Sequence, residues 1–144
     1  MKIYVASSWR NALQQGVVHA LRAVKFEVYD FKNPKPGDAG FHWSEVDGGW
    51  KSWSLEAYRK ALDHPLAVDG FEGDFDAMKW ADCCVLVLPC GRSAHLEAGY
   101  FIGAGKRLHI LLDAAKFEPE LMYKMATTIN VSLFELLGNL GVKG

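Results

Sequence analysis

The chain has 144 residues, half of them apolar and 12% aromatic, and its 16 Lys and Arg against 17 Asp and Glu leave a net charge of -1. That is about one domain's worth of chain, far from the composition of a disordered segment. A charge balance this near neutral argues against a nucleic-acid polymer or a membrane surface as partner, since either would select a basic face. No apolar run approaches the ~18 residues needed to cross a bilayer. Met1-Lys2 leads at once into Ile3-Tyr4-Val5 and polar Ser7-Ser8-Trp9-Arg10, unlike a secretory leader. The expectation is a cytoplasmic chain forming one domain over residues 1–144, with no metal and no cofactor.

Residues 2–6 form the first short apolar run. Leu13, Val17, Ala20, Leu21 and Val24 then recur at helical spacing, and residues 27–31 read as a second strand. Residues 32–51 break the rhythm: Pro34, Pro36, Gly37, Gly40, Gly48 and Gly49 punctuate them, and Phe41, Trp43 and Trp50 lie among these. A loop of roughly 20 residues inside a compact domain is often a lid, and its rings, Trp43 among them, suit stacking on a flat ligand. The plainer alternative is a surface excursion whose rings fold back on the protein. Phe71, Phe75 and Met78 carry the next helix.

Residues 83–88 and 108–112 are apolar throughout, as expected of strands buried on both faces, with Leu96, Tyr100 and Ile102-Gly103 marking a helix between them. Gly103-Ala-Gly105 follows a helix rather than a strand, so it reads as a helix stop and not as a dinucleotide fingerprint. Pro119 sits where a first helical turn tolerates it, residues 129–131 make a brief fifth strand, and Ser132-Leu-Phe-Glu135 is a capping box opening a last helix. The alternation predicts an α/β fold: a single doubly wound, flavodoxin-like or Rossmann-like domain with a five-stranded parallel sheet.

Open parallel sheets bind ligands outside the carboxyl ends of their strands. Those ends are Ser7-Ser8-Trp9-Arg10, Pro89-Cys90-Gly91-Arg92-Ser93 and Asp113. Pro89 stops the third strand, Gly91 permits a tight turn, and Ser93 is placed to cap a helix beginning around Ala94. Glu97 then shares a helix face with Ser93 near the positive end, which favours a charged carboxylate, either for chemistry or simply as a complement to the dipole. The three cysteines, Cys83, Cys84 and Cys90, match neither a disulfide framework nor a metal spacing and are expected to pack as small apolar groups. Cys90 stands apart, because a helix N-terminus beside it would lower its pKa. His109, inside an apolar strand, reads as a hydrogen-bonded core residue. His95 lies two residues from Glu97, and side chains that close diverge on a helix, which disfavours a shared metal.

Cys90-Gly-Arg-Ser-Ala-His-Leu-Glu-Ala-Gly99 after an apolar strand resembles the Glu-x-Gly signature of the nucleoside 2-deoxyribosyltransferase family. The N-terminal Met1-Lys-Ile-Tyr-Val-Ala-Ser-Ser-Trp-Arg10 is similar to the Gly-Ser-x-Arg segment of that family's nucleotide-hydrolase branch. Asp74, followed by Met78, Ala81-Asp82 and an apolar strand, is a third match, and the three span residues 1 to 112 in order. The resemblance implies cleavage of the N-glycosidic bond of a nucleoside or nucleoside 5'-monophosphate, by hydrolysis or by deoxyribosyl transfer. Glu97 matches the nucleophile that attacks the anomeric carbon, and a carboxylate suits an oxocarbenium-like transition state. Asp74 matches the acid that works around the leaving base. Asp69 and Asp76 take its place if the register slips, and a helix N-cap after Gly73 is its non-catalytic reading.

The chain also departs from the family pattern. Transferases acting on free nucleosides carry a second Asp six residues before the nucleophile, where this chain has Gly91. Gly91-Arg92-Ser93 removes a negative charge and adds a cation at a helix N-terminus, which suits a phosphate. Ser8 and Arg10, flanking Trp9, match the segment that grips a 5'-phosphate, although Arg10 also fits an ordinary surface position. The resemblance further implies a homodimer or larger assembly, in which residues 123–132 complete another chain's pocket. Two other functions fit the same residues: a TIR-like NAD glycohydrolase, and a nucleotide-binding sensor that has lost turnover.

Overall fold

The computed structural model describes all 144 residues. In chain order it contains β1 (Lys2–Ala6), α1 (Gln14–Ala23), β2 (Glu27–Asp30), α2 (Trp43–Val46), a 3-10 turn (Trp50–Ser52), α3 (Leu55–Ala61) and α4 (Pro65–Trp80). There follow β3 (Cys83–Val87), α5 (Arg92–Gly103), β4 (Arg107–Leu111), a 3-10 helix (Leu121–Met125), β5 (Thr128–Asn130) and α6 (Leu133–Asn139). The chain divides into two compact units, Met1–Asp30 with Trp80–Gly144 and Phe31–Lys79. No helix is long and apolar enough to cross a membrane.

The first unit is built on a five-stranded sheet in the order β2-β1-β3-β4-β5, with every pair parallel. This is the flavodoxin-like order expected from the alternation of strands and helices. Side chains alternate across it. Ile3 and Val5 of β1, with Cys83, Val85 and Val87 of β3, meet Val17, Val18 and Leu21 of α1, Leu136 of α6 and its C-cap Leu140. On the opposite face Tyr4 packs against Phe101 of α5, with ring centroids 5.7 Å apart. Because both faces are covered, β1 and β3 are buried along nearly their whole length and show no polar alternation.

Three local expectations are corrected. On α1, Leu13 is 58% exposed, and the buried set is Gln14, Val17, Val18 and Leu21. Asp30, buried at the end of β2, accepts hydrogen bonds from Gln14 Nε2 and Gln15 Nε2, each at 2.9 Å, and so draws a polar residue into the helix's inner stripe. On α5 the helix begins at Arg92 rather than Ala94, and Leu96 is 78% exposed while Ala94, Ala98 and Phe101 are buried. Pro119 precedes no α-helix. Glu120 instead caps the short 3-10 helix, accepting from Met122 N at 3.0 Å.

Other ends follow the expectation. Gly105 has φ +75 and stops α5: its N–H donates to Ile102 O at 3.0 Å and that of Lys106 to Phe101 O at 2.8 Å, a Schellman ending. Ser132 Oγ accepts from Glu135 N at 3.1 Å, and the Glu135 carboxylate accepts from Val131 N at 2.7 Å, one residue before the cap.

In the second unit the expected loop at 32–51 is largely irregular, interrupted by the short α2 and ending at the 3-10 turn. The unit's aromatic residues pack on one another: Trp43 meets Phe41, Trp53 and Tyr58 edge-on at centroid distances of 4.9, 5.4 and 6.2 Å. Trp53 Nε1 donates to Asp47 at 2.7 Å. Gly70 of α4 lies so near Phe41 that an added Cβ would stand 2.9 Å from the Phe41 Cβ.

Candidate active site

The carboxyl ends of β1 and β3 lie side by side, because the two strands pair directly from Ile3↔Cys83 to Ala6↔Leu86. Ser8, Trp9 and Arg10 therefore leave one strand end, and Gly91, Arg92 and Ser93 follow the adjacent one. Between them the sheet presents Tyr4, fully buried and stacked on Tyr29 of β2 at 5.3 Å and 14°. A buried phenol needs a hydrogen-bond partner. The Tyr4 hydroxyl finds one in the carboxylate of Glu97, to which it donates.

Glu97 sits in the second turn of α5, since the helix starts at Arg92 and its first turn holds no acidic residue. The helix dipole acts mainly within the first turn, so Glu97 lies beyond its main reach, and the Tyr4 hydroxyl is a donor to its carboxylate. Tyr4 escaped sequence reading, being one aromatic residue in a uniformly apolar run. The signal available was that a tyrosine buried on a sheet face must spend its hydroxyl somewhere.

Gly91 is the extended N-cap of α5 and supplies no side-chain cap. Ser93 stands inside the first turn instead of capping it. The first amides of this helix thus lack the side-chain acceptor that usually satisfies them. Arg92, Ser93 and Arg10 are all exposed, Trp9 is 42% exposed and Ser8 is half-buried. Ser8 Oγ accepts from Arg10 N at 3.2 Å, a local turn that fixes the loop's shape.

The Cys90 thiol departs from expectation. Burial, and secondarily the charge of Glu97, push its pKa up to about 12. The neighbouring helix end does not compensate, and Cys90 is a neutral thiol at physiological pH. Burial likewise raises Cys83 to about 11 and Cys84 well above the usual range.

A cavity of about 990 Å³ opens where α5, the ends of β3 and β4 and the 3-10 helix meet; Cys90, His95, Ile102, Met122 and Tyr123 are among its walls, whereas Glu97 and Tyr4 are not. His95 Nδ1 lies 2.8 Å from Gly91 O, an atom that only accepts, so this nitrogen carries the proton. Nε2 then accepts from the Tyr123 hydroxyl at 2.8 Å. The side chain closes a wall of this cavity and is turned away from Glu97.

Asp74 and Trp43 belong to the second unit. Asp74 lies in the middle of α4, so the N-cap reading is excluded. It is half-buried, whereas Asp69 and Asp76 are exposed and Asp76 pairs with Lys79 at 3.0 Å.

No family model matches the chain, and no curated protein does. Solved structures do. A 2-deoxyribosyltransferase from the psychrotolerant bacterium Bacillus psychrosaccharolyticus is similar over 99% of this chain and 98% of its own, with a TM-score of 0.63 and 18% identity. A CMP N-glycosidase from Clostridium botulinum is similar over 99% of this chain and 100% of its own, with a TM-score of 0.50 and 16% identity. At these identities the likeness is one of fold.

Proposed function

We propose that the protein is a cytoplasmic enzyme of the nucleoside 2-deoxyribosyltransferase family that cleaves the N-glycosidic bond of a nucleoside 5'-monophosphate, with Glu97 as nucleophile. The observation that carries this reading is the hydrogen bond from buried Tyr4, in the middle of β1, to the carboxylate of Glu97 on α5, the helix that follows the carboxyl end of β3. Full-length similarity of fold to an N-glycosidase and a deoxyribosyltransferase supports it.

In this mechanism one Glu97 oxygen, oriented by the grip of Tyr4 on the carboxylate, attacks the anomeric carbon. The C–N bond breaks and its electron pair leaves with the base, which takes a proton from an acid; Asp74 is assigned that part. Water then attacks the anomeric carbon of the glycosyl ester, giving up a proton that restores the acid assigned to Asp74, frees the sugar phosphate and returns the Glu97 carboxylate. Deoxyribosyl transfer would replace this water with a second base.

Phosphate is assigned to Ser8, Arg10, Arg92 and Ser93, with Trp9 and Gly91 beside it and Trp43 against the base. A helix N-terminus without a side-chain cap, two guanidinium groups and hydroxyls together favour a dianion through charge-assisted hydrogen bonds. In the same reading the chain works as a homodimer or larger, with residues 123–132 completing a neighbour's pocket.

The test is release of free base from a panel of nucleosides, deoxynucleosides, their 5'-monophosphates and NAD. Base from a monophosphate, at a kcat/KM at least about tenfold above that of its nucleoside, is the expected result. Equal rates on both would move the chain towards free-nucleoside transfer, and release from NAD alone would favour the glycohydrolase alternative. Binding without release from any substrate would leave a sensor.

A further inference from the structure

The β1–α1 loop carries Ser8 and Arg10, and the β3–α5 turn leads to Glu97. One side chain fastens the two together. Asn11 is 6% exposed, and its Nδ2 donates to Val87 O at 3.3 Å and to Pro89 O at 3.2 Å, on either side of the end of β3. Its Oδ1 accepts from Leu13 N at 2.9 Å, and its backbone N–H donates to Ser8 O at 3.0 Å. Ser7 Oγ adds a buried donor to Val87 O at 2.8 Å. Carbonyls at a strand's end have run out of ladder partners, and only a donor can satisfy them. An amide can do this while its oxygen serves the loop's own backbone. Aspartate cannot, and alanine offers neither.

We infer that Asn11 is a positioning residue, a latch that holds the phosphate-binding loop in fixed register with the turn from which Glu97 is presented. The inference rests on the monophosphate reading given above. Phosphate binding speeds the chemistry only if the loop that holds it is rigidly connected to the nucleophile; otherwise the contact aids binding without placing the anomeric carbon. A loosened latch should therefore cost turnover of the monophosphate and not its capture. A bare nucleoside, which does not use the loop, should notice little.

The experiment measures kcat and KM of Asn11→Ala and Asn11→Asp on a nucleoside 5'-monophosphate and on its nucleoside. For Asn11→Ala the expected result is a fall of at least about tenfold in kcat for the monophosphate, with its KM and the nucleoside's kcat each held within about threefold. Asn11→Asp, which sets a carboxylate against two carbonyl oxygens, should be no better. A parallel loss on both substrates, or no loss, overturns the inference, because a role in folding alone would treat the two alike. Amide hydrogen exchange of the ligand-free protein is the second readout, independent of turnover. Residues 8–13 and 88–95 should lose protection together in Asn11→Ala, and loss confined to 8–13 overturns the latch. Wild-type protein that releases no base would defeat the functional reading alone, with exchange still deciding the latch.

Discussion

In the proposed mechanism the chemistry rests on Glu97, to whose carboxylate the Tyr4 hydroxyl donates. Glu97→Ala removes the attacking group and should lower base release by a factor on the order of 10³ or more, roughly 4 kcal/mol in the barrier, with the fold unchanged by circular dichroism. A variant keeping over a tenth of wild-type activity would take Glu97 out of the mechanism. Tyr4→Phe keeps the ring stacked on Tyr29 and removes only the hydroxyl that holds the carboxylate. A hydrogen bond to a charged group contributes about 1.5–3 kcal/mol, so a loss of at least about tenfold in kcat is expected; an unchanged rate would make the contact incidental. Glu97 stood out in the sequence because its neighbours form a motif. Tyr4 did not, because nothing in an apolar run tells which ring carries a used hydroxyl. Cys90 misled for a related reason. Its place before a helix was visible, but the burial that outweighs the helix, raising the thiol to about 12, depends on packing from distant residues. Iodoacetamide at pH 8 should therefore modify Cys90 at least about tenfold more slowly in the folded protein than in the denatured one, since the thiolate is the reactive form.

Helix ends decide what the strand ends can bind. The stops and starts written in local chemistry were legible: Gly105 at the end of α5 and the Ser132 cap of α6 both stand where their residue types require. The start of α5 was misjudged by two residues, because Ser93 looks like a cap, yet the chain turns at Gly91, which is extended and has no side chain to offer. That difference has a functional side. A Cβ added at Gly91 would meet nothing within 4 Å, and its φ of -95 suits any residue. Gly91→Asp should thus fold normally, gaining a few tenths of a kcal/mol from a better N-cap. The same carboxylate would occupy the helix N-terminus and repel a phosphate. The expected outcome is a fall of about tenfold or more in kcat/KM for the monophosphate with the nucleoside rate held or raised. A variant that binds the monophosphate as tightly as wild type would place the phosphate elsewhere.

At the scale of the molecule, the sheet order was legible because right-handed crossovers leave few ways to arrange alternating strands and helices. Residues 32–51, dense in Pro and Gly, read as a loop and are largely irregular, but which rings Phe41 and Trp43 meet was not legible, because Trp43 packs on Trp53 and Tyr58 further along the chain. The sheet also encloses a polar group with consequences for the whole fold. His109 on β4 is 1% exposed; its Nδ1 lies 2.7 Å from Thr128 Oγ1 on β5, and its Nε2 has no partner. Asn130 Nδ2 donates to the same Thr128 oxygen at 2.9 Å, so this hydroxyl ties the two side chains together while the other imidazole nitrogen stays unsatisfied inside the sheet. A second proton would bring a charge into the core beside Arg107, and burial first, then the Arg107 charge, hold the pKa below its ordinary 6.5. The sign follows from proton counting: as pH falls through 6.5, the unfolded chain takes up a proton at this residue that the native protein refuses. Stability contributed by neutral His109 is therefore complete above pH 6.5 and declines below it, by at most about 1.4 kcal/mol per pH unit, until the depressed native pKa is reached. Urea denaturation of wild type and His109→Gln between pH 7.5 and 5.5 measures this difference. The wild type should lose stability more steeply towards acid than the variant, and parallel curves would show that His109 takes up its proton as readily inside the sheet as outside it.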